Sequence, residues 1–214
     1  MENSVTLLGT YGGDLEHACS AWTSTSRDLT DEKRARIPDL LKMLADNHHE
    51  TPFEKSMLHF LVTCDTASHI HLIKHRIGVS VNSESARYKE LKDDKFYIPD
   101  DWPEDLKDRY LELVVKDYDL YHYFLSELEK RGFDRKRAKE SARFILPYAN
   151  QLTLDVSFNW RSFAHFLSLR RTKHAQKEIR DIAQKMLELV EQTHKFDLTI
   201  EAFRSANLLG EDDV

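Results

Sequence analysis

Cysteine is almost absent. Cys19 and Cys64 are the only two in 214 residues, too few for a disulfide framework, and a reducing cytoplasm fits. Glycine and proline are also sparse, at six and five, which excludes a long flexible linker or a low-complexity tract. No internal repeat is present. No apolar run approaches the roughly 20 residues that span a bilayer. The opening MENSVTLLGTYGG lacks the charged and long apolar regions of a signal peptide. Positive charge is not in excess either, since 31 basic against 37 acidic residues give a net charge of −6. A basic nucleic-acid footprint is therefore missing, and neither a nucleic acid nor a membrane is expected as a partner. What is there is an ordinary globular composition, 41% hydrophobic and 32% charged. The length suits one domain over residues 1–214.

Periodicity predicts an α+β fold, with an antiparallel or mixed sheet flanked by helices. Val5–Leu8 reads as a short strand before Gly9, Gly12 and Gly13. Pro38 opens a helix to about Asn47. Thr51-Pro52-Phe53-Glu54 has the form of a capping box. Leu58, Phe60, Val62 and Cys64 alternate over a strand from Met57 to Asp65. Asp65 or Thr66 caps a helix over about Ala67–Arg76, and Gly78–Ser85 reads as a loop. Trp102-Pro103 opens a long helix closed by Gly132, with Leu106, Tyr110, Leu113, Tyr121, Phe124 and Leu128 as its apolar stripe. Asp134 caps a short helix to about Phe144. Leu152, Leu154, Val156 and Phe158 mark another strand, followed by helices over Arg161–Leu169 and His174–Gln192.

Chemistry-bearing residues gather in two places. His69–Arg76 packs imidazoles and cations, and Ser80–Tyr88 follows with donors and acceptors. Cations near a helix C-terminus suit its dipole, which is the plain structural reading of Lys74 and Arg76. The functional reading is an anion site, because arginine forks bind phosphate oxygens bidentately. His71 and His75, four apart, have metal-ligand spacing, but no third ligand is identifiable and no metal is expected. Arg143, Arg161, Arg170 and Arg171 form the second cluster, and cations flanking apolar helices also snorkel.

His75-Arg76, eight residues, then Ser85-Ala86-Arg87-Tyr88 resembles the signature of flavin-dependent thymidylate synthases. His49-Glu50-Thr51-Pro52-Phe53-Glu54 and Phe96-Tyr97-Ile98-Pro99 are similar to further family segments. Ala142-Arg143, Leu146-Pro147, Asn159, Arg161-Ser162, Leu169-Arg170 and His174-Ala175-Gln176 continue the likeness in order and spacing. The resemblance runs roughly from Gly13 to Arg180.

The resemblance implies a homotetramer with shared active sites. It implies FAD as cofactor, NADPH as reductant and methylenetetrahydrofolate as carbon donor in the methylation of dUMP to dTMP. Carried over by position, His49, Lys74, His75, Arg76, Asn159, Arg161 and Ser24 contact FAD. Glu84 lies near flavin and nucleotide. His71, Ser85, Arg87 and Arg143 bind dUMP. Arg170 meets the uracil as the catalytic cation, where it stabilises charge developing on the ring oxygen. Four positions depart from the pattern. Lys74 replaces an arginine and loses the bidentate fork. His71 replaces a glutamine, Lys55 replaces a histidine, and the loop acid Glu84 is displaced by one place. These departures keep three alternatives open: a family member performing another one-carbon transfer to a pyrimidine nucleotide, such as hydroxymethylation; a non-catalytic flavin- or nucleotide-binding protein; and a metal enzyme using His71 and His75.

Overall fold

The computed structural model describes residues 2–85 and 94–210. Arg87 and the acidic tail Glu211-Asp212-Asp213 lie outside the described residues. The expected α+β class is observed. Four strands, β1 (Ser4–Tyr11), β2 (Met57–Asp65), β3 (Val79–Ser83) and β4 (Gln151–Phe158), form an antiparallel sheet in the order β1-β2-β4-β3. The helices are α1 (Asp14–Trp22), α2 (Asp31–Ala35), α3 (Ile37–Asp46), α4 (Thr66–Ile73), α5 (Glu104–Lys130), α6 (Arg135–Ala142), α7 (Trp160–Arg170), α8 (Lys177–Glu191) and α9 (Asp197–Ser205).

The chain divides into two compact units. The first comprises residues 1–4, 63–71 and 82–154. Its core forms where α5 packs on α6: Tyr121, Leu125, Ala138 and Ala142 are buried together, and Val114 and Tyr118 pack with Ala149. Asp134 caps α6 by accepting from the Lys136 and Arg137 amides, as its type and place predict. Tyr118 Oη lies 2.8 Å from Asn150 Oδ1 and anchors the start of β4.

The second unit comprises residues 5–62, 72–81 and 155–214. Its core is aromatic. Phe53, Phe60, Phe158, Trp160, Phe163, Phe166, Phe196 and Phe203 are all buried. Trp160 stacks on Phe196 at 5.5 Å, and Phe53 meets Phe203 edge-on at 4.7 Å. Such pairs add roughly 0.5–1.5 kcal/mol beyond their buried area. α9 packs against α3.

Several local expectations are corrected. Gly78–Ser85 is mostly strand, because Val79 and Val81 alternate and the Glu84 amide bonds Thr153 O at 2.8 Å. β1 runs past Gly9 to Tyr11, and α1, α2 and α9 were not expected. The capping box does not form. Thr51 lies inside a 3₁₀ turn over Thr51–Glu54 that has no side-chain cap, and Glu54 pairs with Arg161 instead. α4 ends at Ile73, so Lys74, His75 and Arg76 follow the helix and His71 and His75 share no helical face. α8 begins only at Lys177, so His174, Ala175 and Gln176 precede it. On α5, Leu106, Leu113 and Phe124 are exposed, and the buried stripe is Val114, Tyr118, Tyr121 and Leu125. The helix has two apolar sides, and one of them is covered within the chain.

Candidate active site

The first unit holds a cleft of about 370 Å³, lined by Thr66, Glu84, Ser85, Arg143, Asn150 and the 146–148 turn. The sequence builds it from short-range signals. Asp65 caps α4 through the Ser68 amide at 2.8 Å, and Asn3 holds the other carboxylate oxygen at 2.9 Å. Thr66, the first residue of α4, donates to Asn150 O at 2.9 Å. Glu84 is held by Thr153 on both sides: its amide donates to Thr153 O, and its carboxylate accepts the Thr153 amide at 3.2 Å. This pinning of the end of β3 aims the next residue, Ser85, into the cleft. Arg143 stands exposed where α6 tightens into a 3₁₀ turn, without an ion pair among the described residues. Three nucleotide-binding expectations, Glu84, Ser85 and Arg143, thus meet in one cavity. His71 sits half-buried on α4 and does not line it.

The second unit holds a larger cleft of about 540 Å³, lined by Glu50, Glu54, Gly78, Asn159, Arg161, Ser162 and His165, with Ile77, Ala164, Phe203 and Leu208 as its apolar part. Asn159 is the N-cap of α7, accepting from the Ser162 amide at 2.8 Å. Ser162 Oγ donates to Ile77 O at 2.8 Å. Gly78 fits between these two side chains with φ +66°, and a Cβ there would overlap both Ser162 Oγ and Asn159 Nδ2. Only glycine tolerates both demands. Arg161 spans the cleft mouth, with Nε 2.7 Å from Glu50 and Nη1 2.7 Å from Glu54. These carboxylates, Glu54 first, raise its pKa. A smaller cavity of about 290 Å³ joins His48, His49 and Thr51 to the same Glu50 and Arg161. His49, Asn159 and Arg161, all expected at FAD, therefore gather around one ion-paired guanidinium.

His75 and Arg170 make a third feature of this unit. His75 is buried, with its ring edge-on to Phe166 at 5.0 Å and close to His165 at 6.2 Å. Arg170 Nε donates to His75 Nε2 at 3.1 Å. A guanidinium only donates, so Nε2 carries no proton. Burial lowers the Arg170 pKa from the ordinary arginine value. Lys74 and Arg76, flanking His75, are exposed and make no ion pair among the described residues. Ser24 joins neither cleft, and its hydroxyl donates to Ala21 O at 3.0 Å at the end of α1.

Some lining residues carried no usable signal in the sequence. Glu50 and Glu54 lay in a quoted motif but read as capping groups. His165 sits in an apolar helix. Thr66 read only as a cap, and Tyr148 and Asn150 belong to a turn.

The family described as "Thymidylate synthase complementing protein" (Thy1) matches residues 7–194. A flavin-dependent thymidylate synthase of Pseudothermotoga lettingae is 36% identical over 182 residues, 84% of this chain and 80% of that relative. This chain belongs to the flavin-dependent thymidylate synthase family. The family's enzyme from Thermosipho africanus is 33% identical over 212 residues, covering 92% and 89% of the two chains. Among solved structures, the UMP/dUMP methylase PolB of Streptomyces cacaoi bound with 5-Br dUMP superposes with a TM-score of 0.81 at 26% identity, covering 98% of each chain. The same methylase bound with 5-Br UMP gives a TM-score of 0.78. The first cleft, the His75–Arg170 pair and all of the second cleft's lining except Phe203, Asn207 and Leu208 fall inside the stretch that matches the family.

Proposed function

We propose that the chain is an FAD-dependent thymidylate synthase that methylates dUMP to dTMP, with methylenetetrahydrofolate as carbon donor and NADPH as reductant. The observation that carries this reading is the coincidence of family membership over residues 7–194 with the cavity that joins Glu84, Ser85 and Arg143. Arg143 supplies a guanidinium without an ion pair among the described residues, and Ser85 a hydroxyl, for a nucleotide phosphate. Arg87 lies outside the described residues and is the third phosphate group of the proposal. His71 completes the nucleotide set from α4.

The residues of the second unit fit a flavin dinucleotide. The cleft is mostly apolar with a few placed polar groups, the usual form of a cofactor site. His49, Asn159 and Arg161 hold the cofactor there, and Ile77, Ala164, Phe203 and Leu208 exclude water. Lys74 and Arg76 supply exposed charge for its phosphates, and His75 and Glu84 also belong to the FAD set. The chemistry that bound FAD would supply is the relay of reducing equivalents between NADPH and the one-carbon unit. Arg170 presents its outer nitrogens to the uracil and stabilises negative charge there, oriented by His75. Ser24 is an FAD contact only in a conformation that frees its hydroxyl from Ala21.

The proposal extends to a homotetramer. α5 exposes Leu106, Leu113, Leu120 and Phe124 at 43–51% of their surface on one side of the helix, an apolar stripe suited to a subunit interface. The two compact units are read as one functional domain, since the family match spans both. No helix among the described residues is long and apolar enough to cross a membrane.

The test is anaerobic NADPH oxidation by the FAD-loaded protein, with and without dUMP and methylenetetrahydrofolate, and with the product identified by mass. A product one methyl group heavier than dUMP is expected. Flavin reduction with dUMP unchanged refutes the reading. A second reading is methylation of UMP as well, favoured by the UMP/dUMP methylase that superposes over 98% of the chain. The same assay with UMP separates the two.

A further inference from the structure

Five groups of the second unit form an unbroken hydrogen-bonded chain that the reading above does not use. The Trp160 amide lies 3.3 Å from Ser56 Oγ. Ser56 Oγ lies 3.0 Å from His17 Nε2, and His17 Nδ1 lies 3.0 Å from Thr199 Oγ1. Thr199 Oγ1 lies 2.6 Å from Asp14 Oδ1. Asp14 also accepts the Leu198 and Thr199 amides at 3.0 and 2.8 Å, capping α9 from a distant helix.

The Asp14 end and a neutral ring fix the direction. An ionised carboxylate only accepts, so Thr199 donates to Asp14 and accepts from His17 Nδ1–H. The neutral ring then carries no proton on Nε2, which accepts from Ser56, while the Trp160 amide donates to Ser56 Oγ. All three linking groups are satisfied by one tautomer of a neutral imidazole. Ser56, His17 and Thr199 are buried, and the ring meets Phe53 at 5.2 Å and Phe196 at 5.8 Å. Burial pushes the His17 pKa down to about 4, so the neutral form holds at physiological pH. Asp14 is the charged group of the chain, and the flanking rings bring no other.

The chain joins the pieces that build the larger cleft. Ser56 follows the turn that carries Glu54. Trp160 lies between Asn159 and Arg161. Thr199 lies in the first turn of α9, whose Phe203 and the Asn207 and Leu208 that follow complete the lining. We propose that His17 is a positioning residue of this cleft, holding the start of α7 and α9 at the spacing that presents Asn159 and Arg161 to a ligand. Stability alone does not require such a chain, because apolar groups of the same shape replace buried polar pairs at little cost. What hydrogen bonds add is fixed direction and distance. This inference rests on the reading of the cleft as the FAD site.

The test compares the full-length protein with the triple variant His17→Phe, Ser56→Ala, Thr199→Val, which removes the three linking groups and leaves the Trp160 amide and Asp14 at the two ends. Ser56→Ala alone, which cuts the links to the Trp160 amide and to His17 Nε2, serves if the triple variant does not fold. Two quantities are read: FAD affinity by fluorescence titration, and amide hydrogen exchange of residues 159–165 and 203–208 in flavin-free protein. The expected result is FAD binding weaker by about tenfold or more and faster exchange in both segments, with the melting temperature near that of the parent. Parent-like affinity and exchange would reduce His17 to a space-filling group and overturn the proposal. If the parent itself binds no FAD, the cofactor reading fails separately, and unchanged exchange then overturns the positioning role on its own.

Discussion

Arg170 and His75 stand 95 residues apart in the chain, yet Nε of the guanidinium donates to Nε2 of the imidazole at 3.1 Å. The bond uses the inner nitrogen of Arg170 and leaves the outer edge of the fork for a substrate. Arg170→Lys keeps the charge but loses the planar fork and its hold on His75. The expected outcome is a fall in kcat/KM for dUMP of about 10- to 100-fold, with FAD content preserved. Steady-state kinetics alongside the flavin absorbance spectrum checks this, and unchanged kinetics would remove Arg170 from the catalytic step.

Arg143→Ala should weaken dUMP binding by about 1.5–3 kcal/mol, the worth of a charge-assisted phosphate contact. Arg87→Ala should abolish measurable binding, since a second guanidinium on the same anion is then missing. Calorimetry with each folded variant decides, and parent-like affinity in either would refute that residue's assignment.

Lys74→Arg restores the fork that the family signature carries at this position. Lys74 is exposed and has no ion pair to lose among the described residues. FAD affinity should be retained or rise. A clear loss of flavin on fluorescence titration would mean the site is tuned for the compact ammonium of lysine.

His17 gives the protein a pH-dependent stability of known sign. Its pKa falls from 6.5 in the unfolded chain to about 4 in the fold because burial penalises the cation. Between those values the unfolded state binds more protons, so stability is full above pH 6.5 and is lost as pH falls towards 4. The loss amounts to about 3 kcal/mol. Asp14, raised by burial, titrates in the opposite sense nearby, so the difference between the parent and His17→Phe is the quantity to measure. Denaturant unfolding from pH 7 to pH 4 should show that difference shrinking as the pH drops. A constant difference would mean that His17 does not titrate as its burial requires.

The exposed stripe of α5 is expected to form a subunit interface. Leu113→Glu combined with Leu120→Glu places two charges where apolar contact is required. Sedimentation velocity should show the proposed tetramer of the parent replaced by smaller species in the variant while the far-ultraviolet spectrum is kept. An intact tetramer would exclude α5 from the interface.

Much of the fold was legible because it is written at short range. The alternation of Leu58, Phe60, Val62 and Cys64 fixed β2, and all four are fully buried. Asp134 announced α6, and Trp102-Pro103 with Gly132 bracketed α5. The clustering of chemistry-bearing residues around His75 and Ser85, and their likeness to a family, also came from the sequence alone. The misreadings have physical causes. Gly78–Ser85 looked like a loop by composition, but strand pairing with β4 outweighs the turn propensity of Ser and Asn. The expected α5 stripe was half right: Tyr121 is buried and Tyr110 and Leu128 pack on the core, whereas Leu106, Leu113 and Phe124 are exposed, because periodicity finds apolar positions without telling which side a partner covers.

The sequence by itself determined the fold class, the family and many of the elements, β2, β4, α5 and α6 among them, since periods of two and 3.6 residues and short motifs act within a few positions. The tertiary structure decided which groups meet. Arg161 lies between Glu50 and Glu54, more than 100 residues away in sequence, and His17 bonds Thr199 across 182 residues. Partners at such separation leave no local signature. They are selected by the burial of a shared aromatic core, which brings their backbones together and favours hydrogen bonds between the polar groups carried inside.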